Sequence, residues 1–234
     1  MALSIKILED VTKCHDFDLS TKRQWMICPS PIIADALRSN LQQQGESTLE
    51  TLTIAKFMKD IFSHYFADNQ IMRKSDLKLI LSVIWKARFQ NNSEEENVSF
   101  NQCFDILTDL RSYTLDIHLF ESVLENFPEE ISVSVKYFWL VMQEQGIVDE
   151  HAAYQSLYEY FSGSDIDDSF VEDTSLIFNG FSHLSMNQIL FIKALSMRID
   201  IVVPIARRVY EKRQPGDWIE WIIRESSTLQ INED

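Results

Sequence analysis

The sequence predicts an α/β protein, a parallel sheet interrupted by an all-helical subdomain. Two observations carry that expectation. At both ends of the chain, short apolar runs alternate with helical periods, the pattern of strand–helix–strand units. Between residues 75 and 161, by contrast, helical periods follow one another with no apolar run between them. The scarcity of breakers agrees, with only five glycines and five prolines in 234 residues.

Ser4–Leu8 (SIKIL) reads as a first strand, and the polar stretch Glu9–Arg23 follows it. Gln24–Cys28 (QWMIC) is a second strand, ended by Pro29-Ser30-Pro31. Pro31 suits a first helical turn and Ser30 its N-cap, so a helix runs Pro31–Gln44 with Ile33, Leu37 and Leu41 on one face. Leu49–Thr53 is a third strand. Thr53 then caps a helix in which Ile54, Phe57, Met58, Ile61, Phe62 and Tyr65 recur with helical spacing, the strongest such period in the chain.

Helices are expected over Ser75–Gln90, Phe100–Ser112, Asp116–Asn126, Ser132–Gln145 and Glu150–Phe161, with Asn91–Asn97 as a polar connector. The acidic run Ser162–Asp173 leads back to strands. Ser175–Phe178 is a buried strand entering Asn179-Gly180-Phe181, followed by a helix with Met186, Ile189 and Leu190 on one face. Ile201–Ile205 is the fifth strand and Trp218–Arg224 a last helix, after which STLQINED offers no strong element. Residues 1–72 and 174–234 are thus expected to form the α/β core, with 73–173 as the helical insertion. The chain reads as the N-terminal part of a longer protein.

Composition narrows the function. The net charge of −15 is unusual for a domain whose main task is gripping phosphates. Cys14, Cys28 and Cys103 form no C-x-x-C pair, and MALSIKILED is no secretory leader, so a reducing, cytoplasmic setting is expected. No stretch reaches the roughly 18 apolar residues of a membrane span.

A phosphate-binding loop needs glycines whose N–H groups can close round the phosphates, then a lysine and a hydroxyl residue. The first glycine here is Gly45, and neither Gly-Lys-Ser/Thr nor G-x-G-x-x-G occurs. Val148-Asp149-Glu150-His151 looks like an acidic box, but no buried strand precedes it, and Asp149 is better used as a helix N-cap. Asp217 and Glu220 lack the lysine of a nuclease site, and Asp217 reads as another N-cap. His15, His64, His118, His151 and His183 show no metal-ligand spacing, His64 lying at the edge of an apolar stripe. Neither a cofactor nor a metal is expected, and no catalytic residue.

Two basic clusters could meet phosphate. Arg73, Lys74 and Lys78, with Lys86 and Arg88 beyond, lie early in the helical block; Arg207, Arg208, Lys212 and Arg213 follow the fifth strand, with Tyr210 and Trp218 near enough to stack bases. Solvated helix faces are the plainer reading of both.

The ordered segments resemble a known family. MICPSPIIADALRSNL is similar to the segment beyond the nucleotide loop of UvrD-like helicases, and Thr51-Leu52-Thr53 with Phe57 and Ile61 is similar to their next motif. IFNGFSHLSMNQILFIKAL followed by DIVVPI looks like the region round the acidic motif in the B subunit of AddAB-type helicase–nucleases. Gly180, Phe181 and Gln188 match that pattern, and Asn179 stands where the family has aspartate. The resemblance implies a RecA-like core with a helical insertion, here a degenerate motor domain without ATPase activity. It would act as scaffold or single-stranded DNA path element in a DNA recombination or repair nuclease, with DNA and a protein of that complex as partners. The alternative is an acidic protein–protein interaction module that binds no nucleic acid.

Overall fold

Six strands form one sheet, and every pairing in it is parallel. The structure, a computed structural model, describes residues 2–8, 23–44, 49–89, 94–164, 167 and 169–231. The strands are β1 Leu3–Leu8, β2 Arg23–Cys28, β3 Leu49–Thr53, β4 Thr174–Phe178, β5 Asp200–Ala206 and β6 Thr228–Ile231, ordered β3-β2-β4-β5-β1-β6. Burial follows that order. In β4, near the middle, all five residues are buried, and β5 is buried from Ile201 to Ile205. This is why both read as continuous apolar runs: helices cover both faces of such a sheet.

The helices of the α/β region are α1 Pro31–Gln44, α2 Ile54–Tyr65, α8 Met186–Ser196, α9 Arg207–Glu211 and α10 Trp218–Glu225; α3 Lys74–Phe89, α4 Glu94–Tyr113, α5 Ile117–Leu124, α6 Glu129–Glu144 and α7 Glu150–Ser162 run consecutively between β3 and β4. Their starts obey local chemistry. The Thr53 hydroxyl accepts from Lys56 N–H, Asp116 caps α5, and Asp217 accepts from both Ile219 and Glu220 N–H. Ser185 and Gln188 form a reciprocal capping box on α8.

The chain divides into two compact units, Met1–Phe66 with Ser156–Asp234, and Ala67–Gln155. The first contains the sheet. The apolar face of α2 packs there, and Trp25, Phe57, Phe191 and Phe161 form a chain of rings with centroids 5.8, 6.3 and 6.4 Å apart. The second unit is helical in its described elements. Its core gathers Leu81, Phe104, Phe120, Phe138, Trp139 and Met142, so the aromatic run in α6 is core.

Three sequence expectations change. STLQINED does contain an element, since β6 pairs in parallel with β1. Residues 94–97, expected as connector, lie in the first turn of α4. Trp218 is core rather than a stacking platform, as the cleft below makes clear. The polar stretch after β1, with Cys14 and His15, falls outside the described residues.

Strand order also locates the crevice where sheets of this kind bind ligands. The connection leaving β2 goes outward to β3, whereas the one leaving β4 goes the other way to β5. Chains diverging from adjacent strands open a crevice at their C-terminal ends. In this protein that crevice lies between the Pro29-Ser30 turn and Asn179–Phe181.

Candidate nucleic-acid interface

The crevice itself is apolar. Asn179 N–H donates to Ile27 O at 2.8 Å, tying the end of β4 to β2. Its side chain is 4 % exposed; Nδ2 lies 3.9 Å from Met26 Sδ, and Oδ1 has no hydrogen-bond partner among the described residues. Asn179 therefore caps nothing with its side chain. The turn is made by Gly180, whose φ of 79° suits glycine. A Cβ there would stand 3.6 Å from Ile33 Cγ2 and 3.8 Å from Pro29 Cδ, so these side chains close the space beside the turn. Phe181 rests 5.9 Å from Phe178, ring to ring, and Gln188 is engaged in the capping box. Among the described residues no three His, Cys, Asp or Glu side chains converge as metal ligands would.

A polar cleft lies one step along the same strand ends. Ser182, Arg208, Val209, Lys212, Arg213 and Asp217 line it, with Trp218 and Ile219 beneath, and it encloses about 570 Å³. The sequence builds it in three moves. Helix α9 begins directly after β5 and sets Arg208 and Lys212 one turn apart on an exposed face. The turn Pro215-Gly216-Asp217 reverses the chain, with Gly216 at φ 84° and Asp217 capping α10. Trp218 Nε1 then donates to Ser182 O at 2.9 Å, which ties α10 to the β4–α8 loop.

Electrostatics distinguish the four cations. Arg208 and Lys212 pair with no carboxylate among the described residues. Arg213 is held: its guanidinium lies 3.9 Å from the Tyr210 ring centre, Nη1 donates to Tyr210 O at 2.8 Å, and Nε is 3.6 Å from Glu220 Oε1. Arg207 is half-buried and does not line the cleft. Trp218 is only 6 % exposed and its N–H is used, so it supports the cleft floor and offers no ring to a base. Tyr210 has one face covered by the Arg213 guanidinium. The cleft thus brings Arg208 and Lys212, which pair with no carboxylate among the described residues, beside the engaged guanidinium of Arg213.

The other predicted cluster lies in the helical unit and is differently employed. Arg73 O accepts from Asp76 and Leu77 N–H at the start of α3. The ammonium groups of Lys74 and Lys78 stand 5.8 and 5.5 Å from the Phe104 ring centre. Their stems cover core edge while their charges stay outside. Arg88 lies 3.9 Å from the Tyr137 ring centre.

The acidic box has a structural role. Asp149 accepts from Ala152 N–H at 2.8 Å, as an N-cap does, and takes a bidentate pair from Arg111 Nε and Nη2 at 2.7 and 2.8 Å. Burial pushes its carboxyl up, but the Arg111 hydrogen bonds and charge, with the cap, outweigh this and hold it below the usual carboxylate range. Burial lowers His151. Arg111 had no local signature: its partner is 38 residues away. His64 sits at the edge of its helix stripe, Nε2 3.3 Å from Ser169 Oγ. No helix among the described residues is long and apolar enough to cross a membrane. In comparison with known proteins, no family model matches the chain and no curated protein matches it.

Proposed function

We propose that this chain is a non-catalytic, helicase-like domain that guides single-stranded DNA, or serves as a scaffold, within a DNA recombination or repair nuclease related to AddB. In this reading the sheet is a RecA-like core, residues 73–173 are its helical insertion, and the DNA and a protein of the complex are the partners. The observation that carries it is the cleft of Arg208, Lys212 and Arg213 at the C-terminal ends of β4 and β5. In a chain of net charge −15, residues 207–216 carry four cations against Glu211 alone. The parallel strand order, with β5 between β4 and β1, is compatible with a RecA-like core, and the compact helical unit Ala67–Gln155 supports the insertion. The crevice closed by Pro29 and Ile33, with an amide at Asn179, supports a site without nucleotide chemistry.

The test is binding of a fluorescent oligothymidylate across a salt series. Each phosphate contact on single-stranded DNA contributes a slope of about −0.7 in log K against log salt, so three cations give roughly −2. Arg208→Glu with Lys212→Glu is expected to abolish binding. Wild-type binding that ignores salt, or a double variant that binds normally, contradicts the reading.

One observation favours the interaction-module alternative. On α3, Leu79 and Val83, four residues apart, are 65 % and 59 % exposed. Such a stripe beside Lys86 suits an acidic, apolar partner surface. DNA binding that fails at every salt concentration, in a folded chain, favours this second reading.

A further inference from the structure

We infer that the outer face of α3 is a self-association surface, on which a second copy of this chain docks with its own α3 antiparallel. The inference rests on the interaction-module reading of that stripe and deepens it by naming the partner; no residue of the DNA cleft is involved. Helix α3 is apolar on two opposite sides. Leu77 and Leu81 are buried in the core of the helical unit, with Ile84 and Trp85 packed against it. Leu79, Ile80 and Val83 point away from that core and are 65 %, 36 % and 59 % exposed. A helix packed on one side ordinarily presents a polar outer face, and an apolar stripe there marks a contact surface.

Two observations say what covers the stripe. First, its pattern is self-complementary. Asp76, Leu79, Val83 and Lys86 are spaced three, four and three residues apart, the spacing of a coiled-coil seam. They also lie in matched pairs about Leu81, with Leu79 and Val83 two residues to either side and Asp76 and Lys86 five. With a two-fold axis opposite Leu81, an antiparallel α3 sets each Leu79 against Val83 of the second copy and each Asp76 against its Lys86. A parallel pair would instead set Asp76 against Asp76 and Lys86 against Lys86. Second, both end charges are available. Asp76 Oδ1 accepts from the neighbouring Ser75 hydroxyl at 3.2 Å, and neither Asp76 nor Lys86 forms an ion pair among the described residues. The other cations of α3 are turned to the flanks, Lys74 and Lys78 standing over Phe104 and Arg88 over Tyr137.

The contact is one helix face wide, below the roughly 1,200 Å² at which standard interfaces begin, so the dimer is weak. Sedimentation equilibrium of the full chain is the test, in about 0.15 M salt to screen the net charge of −15 on each copy. We expect a reversible monomer–dimer equilibrium with a dissociation constant on the order of 0.1 mM. Leu79→Gln with Val83→Gln, both at exposed positions, should leave only monomer with an unchanged circular dichroism spectrum. Asp76→Lys and Lys86→Glu alone should each weaken the dimer about tenfold, because each makes two like-charge pairs, and the two exchanges together should restore it. A monomer up to millimolar concentration, a dimer that survives Leu79→Gln/Val83→Gln, or single exchanges that are silent or not rescued by their combination each overturn the proposal. The interaction-module reading itself is decided by the DNA titration above, so its failure and the failure of the dimer are separate results.

Discussion

Asp149 makes both its bonds from a buried position, capping α7 and pairing with Arg111. Asp149→Asn leaves the Arg111 charge buried without a counter-charge, and is expected to destabilise the helical unit by about 3–5 kcal/mol, read by thermal or urea unfolding. The pH dependence follows from the direction of the shift. A carboxyl held below its ordinary range stabilises the fold at pH above that range. The contribution is lost as pH falls below about 4 toward the folded value. Wild type should therefore lose stability in acid more steeply than Asp149→Asn. The thiols behave in the opposite sense. Burial pushes Cys28 and Cys103 up to about 11, so at pH 8 both should resist iodoacetamide until the protein unfolds, as peptide mass mapping would report. Asn179 belongs at this scale too. Asn179→Asp puts a carboxylate at a buried position whose Oδ1 has no hydrogen-bond partner among the described residues, and should lower stability by a few kcal/mol without creating ATP turnover. A steady-state phosphate-release assay checks the second half, and measurable turnover contradicts it.

At the scale of elements, most of what was legible was legible for local reasons. Runs such as SLIF and IVVPI could only be interior strands, and Thr53, Asp149 and Asp217 announced their helices because a cap needs only neighbouring N–H groups. What was missed depends on distant partners. Residues 228–231 are short and partly polar, and become a strand because β1 offers an open edge. Glu94–Asn97 reads as a connector through its charge, yet it lies in the first turn of α4. Arg208 and Lys212 were visible as charge, but that Trp218 would turn inward to hold Ser182 was not. Asp217→Ala tests that part of the site. It removes the cap of α10, should cost about 1 kcal/mol, and should weaken DNA binding by loosening the cleft wall even though it also deletes a negative charge from the cleft. A fall in affinity despite the lost carboxylate is the expected signature.

For the whole molecule, the proposal is that a parallel sheet compatible with a RecA-like core has a closed crevice and a basic cleft beside it that meets DNA. The formal charge of −15 works against nonspecific phosphate binding, so the proposed DNA binding is assigned to the local cation cluster at α9. The most direct measurement is therefore anisotropy of a labelled oligothymidylate titrated with the full chain from low to physiological salt. The account predicts saturable binding with a log–log slope of about −2, lost in Arg208→Glu/Lys212→Glu while the fold, read by circular dichroism, persists. Absence of binding at the lowest salt, or equal binding by the double variant, would contradict it.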